Sequence, residues 1–318
     1  MKTISLCSIS LVILMLFSCE KSFELEEVAF NIKEVKISDA EDEEGNPVKK
    51  VVFDFEGSSD VLSFYSGELF HNYDYKAGRI VRNLALQMSF SSNCKLNSGT
   101  QALQNQLSVH ISSDFNGAYT VDDVKAATWI DVTDKFVLSP LVPGDDFITS
   151  GEVNLKDLSV PGKPMYISFK YVTPRQTSQL RHTQWRIRNF QLTQNTDIGS
   201  SILATQSTFG WNMLHEGVLE NGRSSSSSSQ IVLRGNNSSA NFNSTTTDWA
   251  VSPPVTFADD VDLGPDLPVA IKSYGDNPVK SFTYYYSQPG SYKAVFKAAN
   301  QNIKDQKELI KEIIVPAY

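Results

Sequence analysis

The side chains of this 318-residue sequence that are able to do chemistry are few and scattered. Histidines stand at His71, His110, His182 and His215, with no H-E-x-x-H and no Cys or His partner at metal-ligand spacing, which argues against zinc. No G-x-S-x-G, Walker A or G-x-G-x-x-G occurs, so neither a nucleophile elbow nor a phosphate cradle is written into the chain. Cys94 has no local base and reads as a buried apolar residue rather than a nucleophile. Asp122-Asp123, Asp145-Asp146 and Asp259-Asp260 have the residue type that glycoside hydrolysis needs, two acids roughly 5 to 10 Å apart. All three sit in turn-like contexts, where Asp is favoured for bonding its own backbone. Asp260-Val-Asp262-Leu-Gly264-Pro-Asp266 alternates hard oxygens around a bend, as calcium loops do. Its glycine falls one place early, Pro265 stiffens it and no Glu closes it, so it reads as linker and structural calcium has no support. No cofactor and no catalytic residue are expected.

Aromatics are the remaining functional groups. A sugar presents apolar C–H faces edged by hydroxyls, so glycan sites pair an open ring with polar neighbours. Trp185 and Trp249 have apolar residues at i+2, and Trp129 precedes Ile130 and Val132; all three read as core. Trp211 lies in Phe209-Gly-Trp-Asn-Met213, a Gly-flanked polar mixture that could present the ring. His71-Asn-Tyr73-Asp-Tyr75-Lys-Ala-Gly78-Arg79 is a second aromatic–polar loop. Trp211, Tyr73, Tyr75 and Arg79 are therefore the candidate ligand residues, with ordinary packing the competing role for each.

The elements that must hold them are strands. Leu84, Leu86, Met88 and Phe90 alternate with polar or small residues, as do Met165, Ile167, Phe169 and Tyr171. Val51, Phe53 and Phe55, then Phe282, Tyr284 and Tyr286, repeat the pattern near the two ends. Strict period two with branched and aromatic residues predicts half-buried antiparallel strands. Gly45-Asn46-Pro47, Pro143-Gly144-Asp145-Asp146, Pro161-Gly162 and Pro289-Gly290 punctuate them as turns. Asn302 to Ile314 is rich in helix formers, yet Glu308 to Val315 is expected as a strand. The serine run Ser224 to Ser229 and the Asn/Ser/Thr-rich Gly235 to Thr247 are expected as surface loops.

Compartment is decided at the N-terminus. Lys2 is followed by the apolar run Ile9 to Phe17, far short of the roughly 20 residues of a membrane span. Leu16-Phe17-Ser18-Cys19 resembles the lipobox of bacterial lipoproteins, which implies cleavage before Cys19 and a lipid on its sulfur. Losing Lys2 with the leader takes the formal charge from −8 to −9. An acidic surface repels phosphate backbones and anionic headgroups, so nucleic acid is not an expected partner and the lipid is the membrane attachment. Glu20, Glu24, Glu26 and Glu27 resemble the acidic export tag of Bacteroidetes surface lipoproteins, the alternative being a solvated tether. Outer-membrane, surface-exposed localisation follows from the resemblance.

Tyr284-Tyr-Tyr-Ser-Gln-Pro-Gly-Ser-Tyr292 through Asn300 resembles the closing half of a PKD-type, immunoglobulin-like domain, and Val51 to Glu68 resembles its opening half. Pro164 to Tyr171, Gln184 to Asn189 and Asp248-Trp-Ala-Val-Ser-Pro-Pro254 resemble strands of jelly-roll modules. The order of these motifs is similar to that of Bacteroides lipoproteins grouped as a domain of unknown function (DUF5017). The expected fold class is all-β, an immunoglobulin/PKD-like sandwich interrupted by a larger jelly-roll-like one. The expected division is leader 1–18, tether 19–27, split domain 28–68 with 262–318, insert 69–258 and linker 259–261. By fold analogy the expected function is non-catalytic glycan binding in a polysaccharide-capture system, with glycan and other surface proteins as partners. An adhesin or assembly subunit is the alternative, and a hydrolase with facing carboxylates a distant third.

Overall fold

A computed structural model of the chain describes residues 28–300 and 306–317. The leader, Cys19 and the tether lie outside the described residues. The fold is all-β, built from sandwiched sheets whose strands pair almost entirely antiparallel. Among the described residues no helix is long and apolar enough to cross a membrane. The chain divides into two compact units. A split unit takes in the described residues up to Arg79 and from Gly264 onward, and an insert unit spans Ile80–Leu263.

In the split unit, Phe30–Glu41 pairs with Pro47–Gly57, and Pro47–Gly57 in turn with Ser281–Tyr286. The hairpin turns at Gly45, whose φ of +83° suits glycine, while Asn46 N donates to Asp42 Oδ1 at 2.8 Å. The second sheet runs Val269–Lys272, Val61–Tyr65, Gly290–Ala299, Gln306–Val315. Val51 thus opposes Tyr284 and Phe64 opposes Phe296, so ends far apart in sequence share both sheets. Between the sheets Phe53, Phe64 and Phe296 interlock with centroids 4.7 to 5.5 Å apart. Gln306–Val315 is a strand despite its helix formers. Pairing along Gly290–Ala299 and burial of Ile313 and Val315 override propensity.

The insert unit packs one sheet centred on Ile80–Leu96 and Thr183–Thr196 against another centred on Tyr166–Thr173. Leu86, Met88 and Phe90 meet Ile167, Phe169 and Tyr171 in the core. Leu84 breaks the expected alternation: the pairing skips it, with Ala85 opposite Asn195 and Asn83 opposite Thr196, and this irregularity leaves it exposed. On the other face of the second sheet, the helix Val121–Ala126, capped by Thr120, covers Phe115, Tyr166 and Trp249.

Two boundaries differ from those expected. Asp260–Asp262 is no linker but an edge strand on Ile80–Leu96, with Val261 opposite Val81. Residues 69–79 belong with the split unit rather than the insert, because Asp266 holds both Arg79 and the backbone of Asn72.

Candidate functional site

The loop after Val61–Tyr65 contains a short 3-10 turn, Tyr73–Tyr75, capped by Asn72, whose Oδ1 accepts from Asp74 N at 3.0 Å. Tyr73 is buried. Its ring meets Tyr65 edge-on at 5.2 Å, its hydroxyl bonds Glu308, and Lys76 Nζ lies 3.6 Å over the ring. It is a brace and offers no face to a ligand. Arg79 is also withdrawn from ligand duty, since its Nε and Nη2 donate to Asp266 at 2.8 and 2.6 Å inside the unit. That fork holds the Asp266 carboxyl below the usual range. Arg79 Cζ lies 3.7 Å over the centre of the Tyr75 ring, and Tyr75 is 38% exposed.

Trp211 is a correction. It is 7% exposed and walled in by Phe169, Phe190 and Phe209 at 5.0 to 5.3 Å, so no sugar can stack on it. The Asp260–Asp266 stretch does not fold as a calcium loop, because its first part is strand and Asp266 is taken by Arg79. Among the described residues no three His, Cys, Asp or Glu side chains gather as a metal site.

Carboxylate pairs are engaged locally. Asp123 accepts from Asn116 and Thr120 at the helix start, Asp145 ion-pairs with Lys95 and Arg186, and Asp259 lies 3.4 Å from Lys156. Burial pushes the Cys94 thiol up to about 11, which leaves little thiolate at neutral pH. Burial likewise drives His182 down to about 4, a neutral ring bonded through Nδ1 to Gln176 at 2.9 Å. Sequence reading missed one pair, Ser108 Oγ and His110 Nε2 at 2.8 Å, neighbours at i and i+2 on one strand face. Asp131 lies opposite His110 but bonds Thr133 instead of Nδ1, so the base lacks an orienting acid.

The serine run is more than a surface loop. Ser225–Ser226 pairs with Ile231–Leu233, and Ser224 Oγ donates to the buried Asp248 at 2.9 Å. Asp248 also receives Arg223 Nη2 at 2.7 Å and His215 Nδ1 at 2.6 Å. Both side chains of the Arg223–Asp248 pair are fully enclosed.

An open groove of about 610 Å³ lies on the outer face of the split unit's four-stranded sheet. Period two puts Leu62 and Phe64 in the core and leaves Val61, Ser63 and Tyr65 to face it, with Lys297 from the neighbouring strand. Tyr274 stands on its wall with 65% of its surface exposed. A tight turn presents that ring: Ser273 N donates to Asp276 Oδ2 at 2.7 Å, and Gly275 takes φ +98°. The turn signature Ser-Tyr-Gly-Asp-Asn-Pro was visible in the sequence, but nothing in it marked the ring as beside a groove.

No curated protein and no solved structure matches this chain. A family model described as a domain of unknown function (DUF5017) matches residues 18–211, more than half of the sequence, and the chain belongs to that family.

Proposed function

We propose that the protein binds glycan without cutting it, holding the sugar in the groove beside Tyr274. The observation that carries this is the exposed Tyr274 ring on a groove wall shared with Ser63 and Lys297. A tyrosine face covers the apolar side of a pyranose while hydroxyl and ammonium groups meet its edge. The groove is open, and its volume lies in the range of ligand sites of about 300 to 1,000 Å³. Stacking and hydrogen bonding need no cofactor. A lipid on Cys19 would place the protein on the outer membrane, surface-exposed, as a capture component beside other surface proteins of a polysaccharide system. The membrane would be met through that lipid alone, and nucleic acid would be repelled by the net charge of −9 that remains once Lys2 is lost with the leader.

Tyr274→Ala tests the site by affinity electrophoresis through polysaccharide gels. Loss of an aromatic anchor costs about 2 kcal/mol, roughly a thirtyfold weaker complex. The melting temperature should hardly move, because the ring is mostly in water. Undiminished retardation of the variant would remove Tyr274 from the site.

A protein-contact role is favoured by one observation. Gln306–Val315 is an edge strand among the described strands, and it exposes Ile310 and Ile314 on one row. An adhesin or assembly subunit would use such an edge.

A further inference from the structure

The insert unit carries a row of three cations, Lys95, Arg186 and Arg188, of which the first two are paired with Asp145. Arg186 and Arg188 stand two apart on Thr183–Thr196 and so share a face, opposite Asn93 and Ser91 on Ile80–Leu96. Lys95 continues the row opposite Gln184. The loop 143–147 is folded back on this face, since Asn93 Nδ2 donates to the carbonyls of Asp146 at 2.7 Å and Gly144 at 3.3 Å. Asp145 lies between Lys95, at 2.5 Å, and Arg186, while Asp146 stays exposed at the rim. Phe147 is thereby set against both guanidiniums, its ring centre 4.6 Å from Arg188 Cζ and 5.2 Å from Arg186 Cζ.

Arg188 is the member that matters. Its Nε donates to Gln230 Oε1 at 3.0 Å and its plane is held against Phe147, which fixes the fork without neutralising it. Among the described residues no carboxylate forms an ion pair with Arg188. A half-buried guanidinium in that state is arranged for an anionic oxygen pair, the geometry of carboxylate or sulfate.

We propose that this patch binds a carboxylate or sulfate carried on a saccharide, making the insert unit a receptor for acidic polysaccharide. Arg188 takes the anion in a fork, Lys95 and Arg186 hold Asp145 in ion pairs of their own so that Arg188 keeps its charge, and Phe147 is the platform for the sugar that bears the anion. The glycan reading above enters only as the carrier of the anion.

The test measures binding of the purified protein to polygalacturonate, to a sulfated galactan and to neutral dextran, with inorganic sulfate as competitor. Wild type should retain at least one of the acidic polymers. Arg188→Ala should weaken that binding about tenfold or more, the worth of a charge-assisted hydrogen-bonded pair. Arg188→Lys should weaken it as well, since a point charge lacks the fork. Lys33→Gln removes the same charge on an exposed strand of the split unit and should leave binding unchanged. Circular dichroism melts of each variant confirm folding. Equal binding by Arg188→Ala, an equal loss in Lys33→Gln, or retention of neither acidic polymer would overturn the proposal. Displacement by sulfate at equal concentration of anionic groups would reduce it to a free-anion site and overturn the saccharide claim. Retention of dextran with loss of the acidic polymers would sink this patch alone and leave the Tyr274 groove standing.

Discussion

Asp248→Asn should destabilise the insert unit by about 3 to 5 kcal/mol, the cost of stripping the partner from a buried charge. Arg223 is enclosed completely, and its Nε and Nη2 both meet that carboxylate. The remaining donors reach only the carbonyls of Val218 and Glu216, which carry no full charge. An isosteric amide keeps the shape and removes the counter-charge, so the loss is electrostatic rather than a packing defect. A unit of this size shifts roughly 2 to 4 °C per kcal/mol, so its calorimetric transition should fall by roughly 10 °C. The serine run should loosen at the same time, because Ser224 Oγ loses an anionic acceptor. Faster amide exchange at Ser224 to Ser226 would register that. A transition within about 1 °C of wild type, well inside that shift, would mean the pair is not enclosed as described.

Trp211→Ala should cost the insert unit a further large amount, about 3 to 5 kcal/mol for an aromatic removed from a packed core. Phe169, Phe190 and Phe209 enclose the ring and belong to different strands and turns, so they cannot collapse together into the space. Glycan affinity of the fraction that remains folded should be unchanged. The opposite pattern, an unmoved melt with lost binding, would return Trp211 to the ligand surface. Trp211 and Tyr274 are thus separable by the same pair of measurements.

These residues also mark how far sequence carries. Period two is local, so Leu86, Met88 and Phe90 could be assigned inward without knowing what they meet. Whether Trp211 is open depends on Phe169 and Phe190 folding over it, which no local window contains. Arg79 sat in a convincing aromatic–polar loop, but its carboxylate partner Asp266 lies 187 positions away. The same partner decided that 69–79 belongs to the split unit and that Asp266 is no calcium ligand. Tyr274 shows the reverse. Its turn chemistry was local and legible, whereas the groove beside it is formed by strands from both ends of the chain. The Arg188 patch depends on a loop that Asn93 pulls back onto the sheet, a contact some fifty residues long in sequence.

The most direct measurement is retention of a polysaccharide followed by recovery of the bound chains. The purified protein is applied to a glycan array, incubated with whichever polymer it retains, and the polymer is sized by chromatography before and after. Retention with an unchanged length distribution is the expected result, because the groove offers a stacking ring and, among the described residues, no facing acids. No retention of any polymer, or a shift to shorter chains, would contradict non-catalytic glycan binding.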